Sequence, residues 1–306
     1  MAIRKIFVLC FFTAICFSGC QKNHKVEVKK QNVNNIELAY YTRGSGEPLV
    51  MIMGFRGTMA MWDPAFLEQL EKKFTLILFD NRGVGFSSDT QKNEINIHQM
   101  AEDTSELIKA LGYERAHVLG WSMGSRIAMM LAINHPEQVQ TLILCSPNPG
   151  GSQQTKRKSQ DYADLLSVDL SNVEGLSLIF PKTEQGEKAS SDFVERLQKD
   201  ILEGKIPYDL NVNSRTVERQ IEALQQWDEN EEAYESLAAI KSPSLVAGGL
   251  ADVLDEPENV EKVAARIPFA WKAYFPHAGH NFLSQDHEDF ARLVCLFIDT
   301  YREDIN

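Results

Sequence analysis

Residues 120–124 read Gly-Trp-Ser-Met-Gly, so small residues stand two positions before and two positions after Ser122. An apolar run of strand length precedes this segment, and an apolar run of helical length follows it. A strand, a tight turn and a helix in this order expose a serine hydroxyl at the end of a sheet, beside the first N–H groups of the helix. The pattern predicts that Ser122 is a nucleophile.

A serine hydroxyl becomes a good nucleophile only when a nearby base removes its proton. Of the seven histidines, His277 and His280 follow the last predicted strand, in a loop that would reach the carboxyl edge of the sheet. We prefer His280 as the base, because Gly279 lets the loop bend over the serine. His277 is interpreted as a structural loop residue. The pair lacks further ligands at metal spacing, so we expect no metal and no cofactor.

A carboxylate should orient the imidazole and stabilise its charged form. The apolar run 245–247 leads into Gly-Gly-Leu-Ala-Asp, which places Asp252 just past a strand and at the same sheet edge as Ser122 and His280. Asp252 is therefore the predicted third member, and Asp255 is the alternative.

The elements that must position these residues alternate along the chain. Short apolar runs without alternation, typical of strands buried on both faces, cover residues 49–53, 74–79, 116–119, 139–144, 245–247 and 271–275. Helical patterns cover residues 64–72, 98–111, 123–133, 257–267 and 286–301. This order predicts an α/β fold with a mostly parallel sheet flanked by helices.

Residues 149–239 interrupt that alternation. They contain no strand-like run but several helical ones, around Leu165, Val194 and Ile221. We predict an inserted helical cap within one α/β domain that spans residues 33–306.

With these motifs in place, residues 36–301 resemble the α/β-hydrolase fold family of single-domain esterases, lipases and lactonases. The order Ser, Asp, His is that family's order, and residues 79–87 resemble its loop after the fourth strand, which is structural in relatives. The resemblance implies an oxyanion hole built from the backbone N–H groups of Met123 and Phe55. The family usually has His-Gly where this chain has Met53-Gly54, so the resemblance does not predict the conformation of that loop.

The resemblance implies a serine hydrolase that cleaves a carboxylic ester through an acyl-enzyme. Thioesterase, lactonase, carbon–carbon bond hydrolase and aminopeptidase activities use the same site and stay as alternatives, as does a catalytically silent binding protein. Ser122 at the nucleophile position argues against aspartate-nucleophile relatives. Trp121 and Phe282 are candidate pocket residues, with Phe55, Met123 and the cap residues Phe180, Phe193 and Trp227, although several of these could simply fill the core.

The N-terminus carries Arg4 and Lys5 followed by an apolar run, residues 6–17, that is too short to span a bilayer. Residues 17–20 read Phe-Ser-Gly-Cys and resemble the bacterial lipobox, in which the cysteine is lipidated. We predict a signal peptide at 1–19, lipid on Cys20 and a tether at 20–32. Gln21 favours an outer-membrane destination, and plain secretion is the alternative.

The composition limits the partners. The chain has 306 residues, 43% hydrophobic, with a net charge of −12, which suits a soluble globular fold and disfavours nucleic acid and anionic membrane surfaces. We expect a small ester or acyl substrate, with membrane contact only through the lipid. Cys145 and Cys295 are interpreted as buried thiols, with a disulfide between them as the alternative.

Overall fold

A computed structural model describes residues 25–90, 95–156 and 179–302. Its strands are β1 (Lys29–Val33), β2 (Ile36–Arg43), β3 (Glu47–Ile52), β4 (Phe74–Phe79), β5 (Ala116–Trp121), β6 (Val139–Cys145), β7 (Ser244–Gly249) and β8 (Ala270–Phe275). They form one sheet in the order β1-β2-β4-β3-β5-β6-β7-β8. Strands β3 to β8 run parallel, whereas β2 is antiparallel to both of its neighbours. The predicted α/β fold with a mostly parallel sheet is confirmed.

Helices cover both faces of this sheet. They are α1 (Pro64–Leu70), α2 (Ile97–Ala110), α3 (Met123–Asn134), α4 (Glu184–Leu202), α5 (Ser214–Glu229), α6 (Ala233–Ser236), α7 (Glu258–Arg266), α8 (Phe282–Gln285) and α9 (His287–Arg302). One apolar core joins α1 and α9 to the sheet, and a second joins α2, α3 and α7 to the opposite face. Successive strand residues, such as Met51 and Ile52, enter opposite cores. This two-sided burial explains why the strands read as continuous apolar runs.

The segment between β6 and β7 is largely helical in the residues that the structure describes. Helices α4 and α5 confirm the patterns around Val194 and Ile221, whereas the pattern around Leu165 lies outside the described residues. Arg196 of α4 donates to the buried carboxylate of Asp63, the N-cap of α1, with Nη2 at 2.6 Å from Oδ2. This ion pair joins α4 to the start of α1.

The predicted tether was too long at its C-terminal end. Strand β1 begins at Lys29, and Val26 N–H donates to the carbonyl of Gly204 at 2.8 Å. Asn34 and Asn35 link β1 to β2 with φ angles of 45° and 65°, the left-handed pair that a two-residue type I′ hairpin requires. An edge hairpin with one exposed face lacks the apolar run by which we recognised the other strands. Residues 1–24, including Cys20, lie outside the described residues.

Both remaining cysteines are free thiols, Cys145 buried and Cys295 half-buried, so the alternative disulfide is not formed. Among residues 25–90, 95–156 and 179–302, no helix has the length and apolar character needed to cross a bilayer.

Candidate active site

Ser122 occupies the sharp turn between β5 and α3. Its backbone has φ 58° and ψ −121°, a conformation that costs a non-glycine residue of the order of 1–3 kcal/mol. Ser122 N–H donates to the carbonyl of Cys145 on the neighbouring strand at 2.9 Å, which holds the turn at the sheet edge. Met123 is the first residue of α3, so its N–H has no partner within the helix.

Two glycines permit this turn for steric reasons. A Cβ atom at Gly120 would lie 2.2 Å from the carbonyl oxygen of Gly124, and one at Gly124 would lie 2.1 Å from that of Ile52. Both contacts are with backbone atoms and cannot be relieved by a side-chain rotation. Gly120 therefore permits the close approach of β5 to the start of α3, and Gly124 permits the close approach of the turn to strand β3.

His280 and Asp252 form a buried pair beside the turn. His280 Nδ1 lies 2.9 Å from Oδ2 and 3.1 Å from Oδ1 of Asp252. A carboxylate can only accept, so this contact places a proton on Nδ1 and leaves Nε2 as the acceptor of the neutral ring. Asp252 Oδ1 also accepts the N–H groups of Leu254 at 2.9 Å and Asp255 at 3.0 Å, which fixes the carboxylate.

The indole of Trp121 fixes the backbone of His280. Trp121 Nε1 donates to the carbonyl of His280 at 3.0 Å, and the two ring centroids are 5.7 Å apart. The residue before Ser122 thereby holds the loop that carries His280.

The pKa of His280 reflects two opposed effects. Burial disfavours the imidazolium and lowers the pKa, whereas the charge of Asp252 and its hydrogen bond raise it. The carboxylate prevails, and the pKa of His280 lies above its ordinary value of 6.5.

The two alternatives left open by the sequence lie elsewhere. Asp255 pairs with the buried Arg126, with Nη2 at 2.8 Å from Oδ1, and also accepts from Asn148 Nδ2 at 3.2 Å. His277 is exposed, and its carbonyl accepts from Gln285 Nε2 at 2.8 Å. The structure thus brings Asp252 and His280 together and keeps Asp255 and His277 in other contacts.

The loop after β3 lies directly against Ser122. A Cβ atom at Gly54 would be 3.0 Å from Cβ of Ser122. Gly57 N–H donates to the carbonyl of Gly54 at 3.2 Å, closing a turn in which Arg56 has a φ of 57°. Phe55, the predicted second oxyanion donor, sits inside this turn.

The loop after β4 supports the segment that follows the Gly54–Gly57 turn. Asp80 accepts the N–H of Met59 at 2.7 Å and that of Phe86 at 2.9 Å. Burial raises the pKa of Asp80 to about 7, against the lowering effect of these two bonds. The motif 79–87 therefore has a structural role, because its Asp80 holds the short helix Met59–Met61 near the site.

Ser122 and His280 open into one apolar cavity of about 50 Å³, called the Ser122 cavity below. Its lining residues are Met53, Gly54, Phe55, Gly57, Met61, Trp121, Ser122, Ile179, Leu254 and His280. The predicted pocket residue Trp121 is among them.

Phe282 does not line this cavity, contrary to the prediction. It is fully buried between Phe275 and Phe290, with ring centroids 5.0 and 4.9 Å away. Helix α8 turns its side chain into the aromatic core below the site. Phe180 and Phe193 pack on each other with ring centroids 5.8 Å apart, and the neighbouring Ile179 lines the cavity instead. The sequence pattern around these aromatic residues does not distinguish side chains that line a pocket from side chains that fill the core.

Within the described ranges, no group of three or more His, Cys, Asp or Glu side chains could hold a metal ion. The chemistry that these residues can supply is a hydroxyl, an imidazole with its carboxylate, and backbone N–H groups.

Comparison with known proteins places the chain in a family. The family model for the alpha/beta hydrolase fold matches residues 47–286. The chain belongs to this family and is a hydrolase.

Individual relatives carry the names of hydrolases or of the same fold family. The chain is 26% identical over 253 residues to RutD of Caulobacter sp. (strain K31), provisionally named a carbamate hydrolase, covering 82% of this chain and 90% of that protein. It is 27% identical over 244 residues to the pimeloyl-[acyl-carrier protein] methyl ester esterase of Nitrosomonas europaea, covering 78% and 90%. An alpha/beta hydrolase fold protein from Chitinophaga pinensis superposes with a TM-score of 0.81 at 26% identity, covering 91% of this chain and 99% of that one.

Proposed function

We propose that the chain hydrolyses a carboxylic ester through Ser122, His280 and Asp252. The observation that carries the proposal is the contact of His280 Nδ1 with both oxygens of Asp252, while Ser122 and His280 share one cavity. These observations support a neutral imidazole with Nε2 as its acceptor nitrogen, on a residue that lines the same cavity as Ser122. A hydroxyl and a base in one apolar cavity are what acyl transfer requires.

The reaction takes place in two halves. His280 Nε2 takes the proton of Ser122 Oγ as the oxygen bonds to the ester carbonyl carbon, and the N–H groups of Met123 and Phe55 bind the resulting oxyanion. The bond to the leaving alcohol then breaks, and that oxygen takes the proton from His280. Water next attacks the acyl-enzyme, giving its proton to His280. The serine oxygen leaves and recovers the proton, and the acid is released.

The size of the Ser122 cavity suggests a short acyl group. The cavity has a volume of about 50 Å³, and a cavity needs about 10–15 Å³ to hold one water molecule. The cavity therefore has room for a few heavy atoms, and Met61, Ile179 and Leu254 make its walls apolar. We propose acyl chains of about two to four carbons as the preferred substrates.

A carbamate is the second candidate, because RutD of Caulobacter, a relative at 26% identity, has that name. Carbamates and esters differ in the atom beside the carbonyl, and the same residues could attack either one.

A panel of chromogenic substrates tests the proposal. It should contain p-nitrophenyl acetate, butyrate, octanoate and an N-alkyl carbamate, with a fluorophosphonate to count activated serines. We expect stoichiometric labelling and the largest kcat/KM on the short esters. Faster turnover of the carbamate would select the second candidate, and octanoate as the best substrate would overturn the acyl-length proposal. Absence of both labelling and turnover would favour a binding protein.

We also propose attachment to the bacterial cell envelope through lipid on Cys20. Residues 17–20, Phe-Ser-Gly-Cys, support it after an apolar run with Arg4 and Lys5 before it. Two or more acyl chains give stable anchoring, where one gives marginal binding. The outer membrane is favoured, and secretion into the periplasm is the alternative.

A further inference from the structure

A glutamine of the cap contacts the backbone of the loop beside Ser122. Oε1 of Gln220, on helix α5, accepts the N–H of Arg56 at 3.0 Å. Gln220 is fully buried and lies 164 residues further along the chain than Arg56. This hydrogen bond joins the cap to the loop that carries Phe55.

The loop needs outside support because its conformation is unfavourable for its sequence. Arg56 has a φ of 57°, a region where a side chain with a Cβ is uncommon and strained. Within the turn, the carbonyl of Gly54 accepts from Gly57 at 3.2 Å. In a planar trans peptide the C=O and N–H point in opposite directions, so this bond sets the direction of the Phe55 N–H.

The second peptide of the turn, between Phe55 and Arg56, is fixed by Gln220. If this peptide rotated, ψ of Phe55 and φ of Arg56 would change, and the turn that presents the Phe55 N–H would take another conformation. Both peptides that flank Phe55 are thus held by hydrogen bonds, one within the loop and one from the cap.

We propose that Gln220 is a positioning residue for the oxyanion hole, which it serves by holding the Phe55–Arg56 peptide so that the Phe55 N–H faces the reacting carbonyl. The inference rests on the proposed function, in which Phe55 supplies one of the two oxyanion donors. Gln220 touches no reacting atom. Its Nε2 has no hydrogen-bond partner in the described part of the chain, so the acceptor oxygen is the half of the amide that the structure uses.

Three variants separate positioning from packing. Gln220→Met keeps the length of the side chain but removes the acceptor, and Gln220→Glu restores an acceptor oxygen. Arg219→Gln is the matched control, because Arg219 is the preceding residue of the same helix and pairs with Asp89 rather than with the loop. If Gln220→Met is insoluble, Gln220→Asn replaces it, since its shorter side chain withdraws the oxygen from Arg56.

Steady-state rates on p-nitrophenyl butyrate, expressed per active site titrated with fluorophosphonate, provide the test. Direct loss of an oxyanion donor lowers kcat by about 10²–10³-fold, so indirect misalignment should lower it by roughly tenfold. We expect that fall in kcat for Gln220→Met with KM nearly unchanged, substantial recovery in Gln220→Glu, and a kcat within about threefold of the parent for Arg219→Gln.

Three results would overturn the proposal: an unchanged kcat in Gln220→Met, an effect on KM alone, or an equal loss in Arg219→Gln. Ser122→Ala is measured in parallel. If that variant is inactive while Gln220→Met is normal, only the positioning role fails. If Ser122→Ala keeps its turnover, the proposed function itself has failed.

Discussion

Oδ1 of Asp252 accepts the backbone N–H of Asp255 at 3.0 Å, so a single turn holds two buried carboxylates that face different partners. Asp252 contacts the His280 ring, and Asp255 pairs with the Arg126 guanidinium. Substitution of the two should therefore change different properties, one of them catalytic and the other conformational.

Asp252→Asn should change the pH dependence as well as the rate. The base must be neutral, and the raised pKa of His280 places the acid limb of kcat/KM above about pH 6.5 in the parent, with activity lost as the pH falls. The amide removes the largest raising effect and leaves burial, so the limb should move to lower pH. The plateau should fall by roughly 10³–10⁴-fold because the ring is misoriented. A pH profile in which the limb stays in place would contradict the assignment of Asp252.

Asp255→Asn should act mainly on stability. It leaves Arg126 buried beside a neutral amide, and breaking a buried pair in this way costs roughly 3–5 kcal/mol. The free energy of unfolding in urea measures this cost, with Asp252→Asn as the comparison. If activity were lost while the free energy of unfolding stayed unchanged, Asp255 would instead belong to the catalytic machinery.

Ser122→Ala should lower turnover by about 10⁴-fold or more without changing the fold, since only one oxygen is removed. Ser105→Ala is the matched control, because the hydroxyl of Ser105 is buried on α2 without a hydrogen-bond partner in the described ranges. Ester turnover and fluorophosphonate labelling should vanish in the first variant and persist in the second. Labelling of the Ser122→Ala protein would locate the nucleophile at another serine.

His280→Ala should be nearly as damaging as Ser122→Ala, because the two residues act as one unit. His277→Ala should change kcat/KM less than about threefold, since that side chain is exposed and the loop is held through its backbone. The two variants change different histidines of the same loop. A reversed result would show that the loop has been assigned in the wrong register.

Cys20→Ser should abolish incorporation of labelled fatty acid and release the protein from the membrane fraction. Turnover of short esters should remain at the level of the detergent-solubilised parent, because the folded site lies in residues far from the N-terminus. A soluble parent whose mature N-terminus differs from Cys20 would replace lipidation with plain secretion.

The central strands were predictable because each one is buried on both faces and reads as an unbroken apolar run. Strand β1 falls largely within the predicted tether, and β2 is not predicted as a strand. The exposed faces of both strands interrupt the apolar run. The adjacent Asn34 and Asn35 were the available indication of a hairpin, because asparagine tolerates the left-handed conformation.

The residues of the site likewise divide into those that the sequence could predict and those that it could not. Ser122, Asp252 and His280 could be proposed from the sequence because each follows a predicted parallel strand, and these strands end at one edge of the sheet. Gln220 could not be proposed, since a single glutamine within an amphipathic helix forms no motif. Its partner is a backbone N–H, which leaves no trace in the residue types. Phe282 was misassigned because an aromatic residue beside a site can turn into the core as readily as into a cavity.

The contact between Gln220 and Arg56 also has a consequence for synthesis on the ribosome. The loop at residues 54–57 and the serine turn emerge early, yet the glutamine follows 164 residues after Arg56, and the carbonyl of His280 is 159 residues beyond the Trp121 indole that holds it. Contacts across such separations form late, because closing long loops costs entropy before any contact offsets it. A nascent chain that stops within the cap carries the serine and its strained turn but neither the imidazole nor its carboxylate. Hydrolytic activity should thus arise only after the last strand and its loop have left the exit tunnel.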